Sequence, residues 1–181
     1  IDPIVIKACR EHIPQTSCEF DNPKLELKTE DGIKYVKETK EIFDVILVDS
    51  SDPIGPATPL FNIDFYKDLY SCLADDGIVV SQCESPYYHQ KMQGVLLKII
   101  KELFPKVHLY NYTNLSYPGG YWNFSFASKK YCPIADLDHK KVEQSGLDFQ
   151  YYNSNLHKSA FYLPTFMNEM YKDTLSPLPL L

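Results

Sequence analysis

Phe43–Phe61, FDVILVDSSDPIGPATPLF, decides the fold of this 181-residue chain. Phe43 and then Val45–Val48 form an apolar run that stops at Asp49. Such a run reads as a strand buried on both faces, with Asp49 at its end. Ser50, Ser51, Asp52 and Pro53 turn the chain, and residues 54–59 (IGPATP) form a loop too rich in proline for helix or interior strand. In an open α/β sheet, ligands bind beyond the carboxyl ends of the strands, which puts Asp49 and Asp52 in position for chemistry. Aspartate is equally at home as a turn former or cap, and the spacing alone fits that plainer role too.

Working outward, Asp2-Pro3 has the form of a helix start, with Asp as N-cap and Pro at the first helical position. Ile4, Ile6, Ala8 and Cys9 give that helix an apolar side, and Pro14 closes it. Leu25–Lys28 alternates as a strand ending at Glu30-Asp31-Gly32, and a short helix over Ile33–Lys40 turns Ile33 and Val36 inward. Beyond the central stretch, Asn62 caps a helix running through Asp75, with Phe65, Leu69, Cys72 and Leu73 on one face and Asp76-Gly77 as its stop. Gly77–Gln82 is a second buried strand. Ser85-Pro86 opens a helix whose apolar face is Met92, Val95, Leu96, Ile99 and Leu103, ended by Phe104-Pro105. Val107–Thr113 and Trp122–Ser128 pair through the turn Tyr117-Pro118-Gly119-Gly120, giving an antiparallel edge to an otherwise parallel sheet. From Cys132 onward the chain reads as a helical tail packed on the sheet, with Pro177-Leu178-Pro179 disordered. Strand and helix alternate without repeat or linker, so residues 1–181 read as one three-layer α/β domain.

Composition narrows the function. The net charge of −6 carries no long run of like charge, which disfavours nucleic acid as a partner and suits a cationic small substrate. The five cysteines form neither a CxxC pair nor an even framework, as expected of reduced thiols in the cytoplasm. No apolar stretch approaches membrane-spanning length, no signal peptide is evident, and no membrane partner is expected. The five histidines are scattered, HExxH and GxSxG are absent, and no metal is expected. Four strand ends instead deliver polar groups to one edge: Asp31, Asp49 with Asp52, Gln82 with Glu84, and Tyr117. Three acid-bearing ends and a phenol form a negative pocket, and burying like charges is costly unless a cation offsets them. A small polycation supplies that offset. His157 reads as a packed histidine bonded to backbone, Trp122 as a core or pocket-wall aromatic, and Cys83, without a base partner, as structural.

DSSDP (Asp49–Pro53) followed by IGPA (54–57) and LF (60–61), with an Asp-Gly eighteen residues upstream of Asp49, resembles the polyamine aminopropyltransferases of the spermidine synthase type. The resemblance extends through Gln82-Cys83-Glu84-Ser85, the Tyr117–Gly120 turn and HKSAFYLPTF (157–166), and so covers nearly the whole chain. It implies a Rossmann-like sheet of the class I methyltransferase kind. It implies decarboxylated S-adenosylmethionine as co-substrate with no further cofactor, putrescine as acceptor, and a homodimer or homotetramer when full length. Residue by residue, Asp49 is implied as the general base. Tyr117 is implied to help hold the attacking amine, while Asp52, Gln82 and Glu84 line the diamine channel. Asp31 and Gly32 meet the adenine amino edge, and Pro56, Ala57 and Leu60 pack on the adenine ring with Ser50 nearby. Residues 51–60 resemble a gatekeeping loop.

Two family features are missing: the GGGDGG turn after the first sheet strand, and an acidic residue for the ribose hydroxyls. By register both precede Ile1, as does an N-terminal β-domain. The chain is therefore expected to be a fragment lacking its first strand or strands, unstable and inactive alone. A putrescine N-methyltransferase, a spermine or thermospermine synthase, and a non-catalytic polyamine-binding subunit are the rival expectations.

Overall fold

The computed structural model describes residues 2–52 and 55–179, and Pro56 in its backbone only. The chain falls into two compact units, Ile1–Thr39 and Lys40–Leu181.

In the first unit, α1 (Pro3–His12) starts as its sequence directs: Asp2 caps it, accepting from the Ile4 N–H at 2.8 Å. A single turn, α2 (Pro14–Ser17), follows at Pro14. Of the apolar side of α1, Ile6 and Cys9 are half-buried while Ile4 and Ala8 are exposed. Asp31 caps α3 (Gly32–Glu38) by accepting from Ile33 N and Lys34 N. Ile33 and Val36 are half-buried there. The strand expected at Leu25–Lys28 does not form. Alternation prepares a chain for a sheet, but a strand exists only with a ladder partner, and no described strand pairs with this segment. Lys28 turns instead to Tyr35, with Nζ 3.2 Å from the phenol oxygen and 4.6 Å from the ring centroid.

The second unit is a four-stranded sheet in the order β1-β2-β4-β3, formed by β1 (Phe43–Val48), β2 (Leu73–Gln82), β3 (Lys106–Thr113) and β4 (Tyr121–Ser128). β1 and β2 are parallel, and the β3–β4 hairpin closes antiparallel onto β2. α4 (Ile63–Ser71) and α5 (Gln90–Leu103) supply Phe65, Tyr66, Leu69, Leu96, Leu97 and Ile100 to a core shared with Val79, Val107, Leu109 and Ala127. Downstream, α6 (His139–Glu143), α7 (Ser154–Phe161) and α8 (Thr165–Met170) form the helical tail. α7 lies on β3, with Asn111 donating to Ala160 O and the Phe161 ring edge-on to Phe126.

Six expectations need correction. β1 is not buried on both faces among the described residues: Val45 (53% exposed) and Leu47 (73%), two apart and so on one face of the strand, lie open. Asn62 does cap α4, accepting from Phe65 N, but the helix ends at Ser71, not Asp75. Asp76-Gly77 is consumed inside β2 as an irregularity: Phe43 faces Leu73 whereas Val45 faces Ile78, so Ala74–Gly77 bulges from the ladder. A Cβ on Gly77 would lie 2.9 Å from Leu73 Cδ2, so the bulge admits only glycine there without repacking. α5 begins at Gln90 rather than Ser85-Pro86, because residues 86–88 form a turn. Its buried face is Gln93, Leu96, Leu97 and Ile100, with Val95 exposed. Finally, Pro177–Pro179 is ordered, tied down where Ser176 N donates to Val107 O at 2.7 Å and Tyr162 OH to Pro179 O at 3.0 Å.

Candidate active site

Because β1 and β2 run parallel with Val48 opposite Ser81, the chain leaves both strands at the same sheet edge. β4 runs against β2 with Phe124 opposite Gln82, which brings the turn preceding β4 to that edge too. A cleft of about 720 Å³ opens there. Ser50, Ser51 and Asp52 form one side, Tyr88 and His89 another, and Tyr117, Pro118 and Trp122 the third.

Aromatic packing fixes the third side. The Tyr117 and Trp122 rings lie 4.9 Å apart, and the Trp122 indole donates to Pro118 O at 3.3 Å. Gly119 holds φ at +77°, and a Cβ there would meet Tyr88 Cε2 at 2.8 Å, so only glycine lets the turn close over that ring. Trp122 is thus a wall of the cleft, as its sequence position suggested.

Behind Asp52 and His89 lies Glu84, 1% exposed, with His89 Nδ1 3.2 Å from its Oε2. The approach is within ion-pair range but off the hydrogen-bond line, and among the described residues neither carboxylate oxygen has a partner of hydrogen-bond geometry; nor does Gln82 Oε1. Burial, reinforced by the neighbouring charge of Asp52, raises the Glu84 pKa; the Gln82 side chain and His89 oppose that rise without cancelling it. Glu84 is also the one described non-glycine residue at positive φ, +61°. That conformation is strained for a side chain with a Cβ and persists only where the surroundings enforce it.

The structure therefore gathers Ser50, Asp52, Gln82, Glu84 and Tyr117 about one cleft. Asp49 is exposed at the end of β1, directly before Ser50, and does not line the cleft. Ala57 is buried and Leu60 half-buried in a 3-10 segment, Gly55–Phe61. Pro56 lies in that segment, with its side chain outside the described residues. Asp31 and Gly32 belong to the first unit, at the start of α3. His89 and Tyr88 were missed. Tyr88 sits in the turn that the sequence pattern assigns to a helix start and His89 directly after it, before α5, so nothing in the periodicity marks them as cleft residues. His157 matches its reading, 2.8 Å from Pro133 O through Nε2 and 3.0 Å from Tyr152 OH through Nδ1. Cys83 is fully buried and its thiol pKa is pushed far up by that burial, as befits an inert thiol. Among the described residues, no group of three or more His, Cys, Asp or Glu is placed to hold a metal ion, and no helix is long and apolar enough to cross a membrane.

An acidic, aromatic-walled cleft at the carboxyl ends of parallel strands defines a ligand-binding α/β domain of the Rossmann-like, methyltransferase-like kind. Residues 1–141 match the Spermine/spermidine synthase domain, and the chain belongs to that family. It is 44% identical over 170 residues to the polyamine aminopropyltransferase of Caldicellulosiruptor saccharolyticus, a match covering 94% of this chain and 60% of the relative. It is likewise 44% identical over 172 residues to that of Clostridium perfringens, again over 94% of this chain and 60% of the relative. Among solved structures, it resembles a spermidine synthase in complex with the transition state analogue AdoDATO (TM-score 0.89, 37% identity, 94% of this chain, 58% of that one). It also resembles the spermidine synthase from Thermotoga maritima (TM-score 0.87, 36% identity, 94% of this chain, 57% of that one). The chain thus spans about 60% of the length of the curated relatives it matches.

Proposed function

We propose that this chain is a truncated catalytic domain of a cytoplasmic aminopropyltransferase that transfers the aminopropyl group of decarboxylated S-adenosylmethionine to putrescine. Spermidine and 5′-methylthioadenosine are the products. The observation that carries this reading is the buried Glu84 carboxylate beside Asp52 at an aromatic-walled cleft, with His89 in ion-pair range but no partner of hydrogen-bond geometry among the described residues. Such a group calls for a cation, and the family supplies one of the right size.

An amine nitrogen of the diamine attacks the methylene next to the sulfonium sulfur. The N–C bond forms, the C–S bond breaks, and the electron pair stays on sulfur as a neutral thioether. The attacking nitrogen sheds one proton. An alkylammonium with a Lys-like pKa of about 10.4 lies roughly three units from neutrality at pH 7, or ~4 kcal/mol. A carboxylate at the amine relieves that cost by accepting the proton as attack proceeds. Asp49 takes this role in our reading, since it ends a strand and adjoins the cleft residue Ser50. Tyr117 helps hold that attacking amine, and Glu84 and Asp52, with Gln82 beside them in the channel, hold the second, charged amine. Asp31, Gly32, Ser50, Pro56, Ala57 and Leu60 serve the nucleoside, by resemblance to the family.

Mass-spectrometric product analysis of the complete gene product tests this directly. Incubated with putrescine and decarboxylated S-adenosylmethionine, it should yield spermidine. A methylated diamine from S-adenosylmethionine, or no product with either donor, would overturn the assignment.

A further inference from the structure

Resting on that reading, we infer that Gln93 is a positioning residue: with Asn123 and Tyr171 it locks the Cys83–Glu84 peptide in its left-handed turn and so sets the Glu84 carboxylate against the amine site. Gln93 is polar, on a helix, and wholly buried. Its Nε2 donates to Cys83 O at 2.6 Å and to Asn123 Oδ1 at 3.1 Å, while its Oε1 accepts from Tyr171 OH at 2.7 Å. Asn123 is buried as well, and its backbone brackets the same turn: Cys83 N donates to Asn123 O and Asn123 N to Glu84 O, both at 3.0 Å.

The geometry is specific to the strained residue. Changing φ at Glu84 rotates the peptide that precedes it, and the carbonyl of that peptide is the Cys83 oxygen held by Gln93. With the Glu84 carbonyl held by Asn123, both flanking peptides are fixed, and relaxation of φ from +61° to the ordinary negative range must break the Gln93 bond. A buried amide is costly unless its partners are made, so a network satisfied at both ends of Gln93 acts as a rigid mount. None of the three side chains lines the cleft; each acts through Glu84.

The test uses Gln93→Met, which keeps volume and removes the hydrogen bonds, and Tyr171→Phe, which removes one hydroxyl, both in the complete gene product. In the crystal structure of Gln93→Met, Glu84 is expected at negative φ with its carboxylate displaced. The KM for putrescine should rise ~10- to 100-fold, as expected for a charged contact misplaced by about 1 Å, with the nucleoside KM unchanged. Tyr171→Phe should move the putrescine KM the same way by a smaller factor, and it serves alone if Gln93→Met does not fold. A purely structural role would lower the active fraction, and hence kcat, with the putrescine KM unchanged; that result, or Glu84 still at positive φ in Gln93→Met, would overturn the inference. If the wild-type protein makes no spermidine, the functional reading falls, and the position of Glu84 in the variant structure still decides this one.

Discussion

Glu84→Gln should damage function and improve stability at once. Glutamine matches glutamate in shape, so the substitution removes charge and little else. Glu84 is 1% exposed and burial raises its pKa, so ionising this group costs the folded state more than the unfolded one. The sign follows from linkage. With the folded pKa above the unfolded one, stability from this group is fully present below the unfolded pKa and is lost as pH rises through the folded pKa. Glutamine cannot ionise, so the loss disappears. Relief of a buried charge without a partner of hydrogen-bond geometry among the described residues is worth about 1 kcal/mol, which for a domain of this size raises Tm by roughly 2–4 °C at pH 8. The same charge should hold the far ammonium of the diamine. Removing one partner of a buried charge pair costs about 2–5 kcal/mol, and ~3 kcal/mol corresponds to ~150-fold in kcat/KM for putrescine. The assays are thermal melts at pH 5 and pH 8 and steady-state kinetics with each substrate varied in turn. A variant with wild-type kcat/KM for putrescine and no pH-dependent gain in Tm would refute the reasoning.

Further outcomes follow from the same geometry. Asp49→Asn should lower kcat by ~100-fold or more while nucleoside affinity, read by calorimetry, stays within about twofold; unchanged turnover would remove Asp49 from the base role. Putrescine and cadaverine should differ in kcat/KM by more than the ~1 kcal/mol of one buried methylene, because the distance between Asp49 and the Glu84 cluster measures diamine length; equal values would end that idea. Gly119→Ala forces a side chain into positive φ and against Tyr88, and should cost about 1–3 kcal/mol of stability with a raised putrescine KM; a wild-type melt would contradict it. His108 is buried among Phe126 and Phe161, its Nε2 has no partner in the described residues, and burial, aided by Lys106 and Lys101, lowers its pKa to about 4. Its unfolded form takes up a proton near pH 6.5, so stability should fall between about pH 6.5 and 4, by up to about 3 kcal/mol. His108→Phe should flatten that acid limb, and an unaltered pH profile would exclude His108 as its cause.

What could be read from the sequence was whatever local chemistry decides alone. Asp2, Asp31 and Asn62 each cap the helix that follows, because a short oxygen-bearing side chain before a helical run has one strong use. The Pro118-Gly119-Gly120 turn fixed the hairpin for the same reason. Features set by tertiary partners were not legible. Asp76-Gly77 carries the chemistry of a stop but spends it on a bulge inside β2, where Lys129 Nζ bonds Leu73 O and Tyr131 OH bonds Asp76. Leu25–Lys28 alternates yet has no ladder to join. Ser85-Pro86 has the form of a helix start, but the strained Glu84 and the turn over residues 86–88 take the chain elsewhere. Within the site, Asp52 and Glu84 announced themselves just past the ends of β1 and β2, whereas the strand expected to end at Asp31 does not form. Gln93 did not, because a glutamine in an amphipathic helix reads as surface until its three partners are seen. His89 became visible only through the carboxylate beside it.

The most direct measurement is a crystal structure of the complete gene product soaked with putrescine and 5′-methylthioadenosine. One ammonium of the diamine should lie within about 4 Å of the Glu84 or Asp52 carboxylate, directly or through one water, with the other end at Asp49. Diamine bound away from that cleft, or a cleft occupied with neither carboxylate facing the cation, would contradict the polyamine reading of this chain.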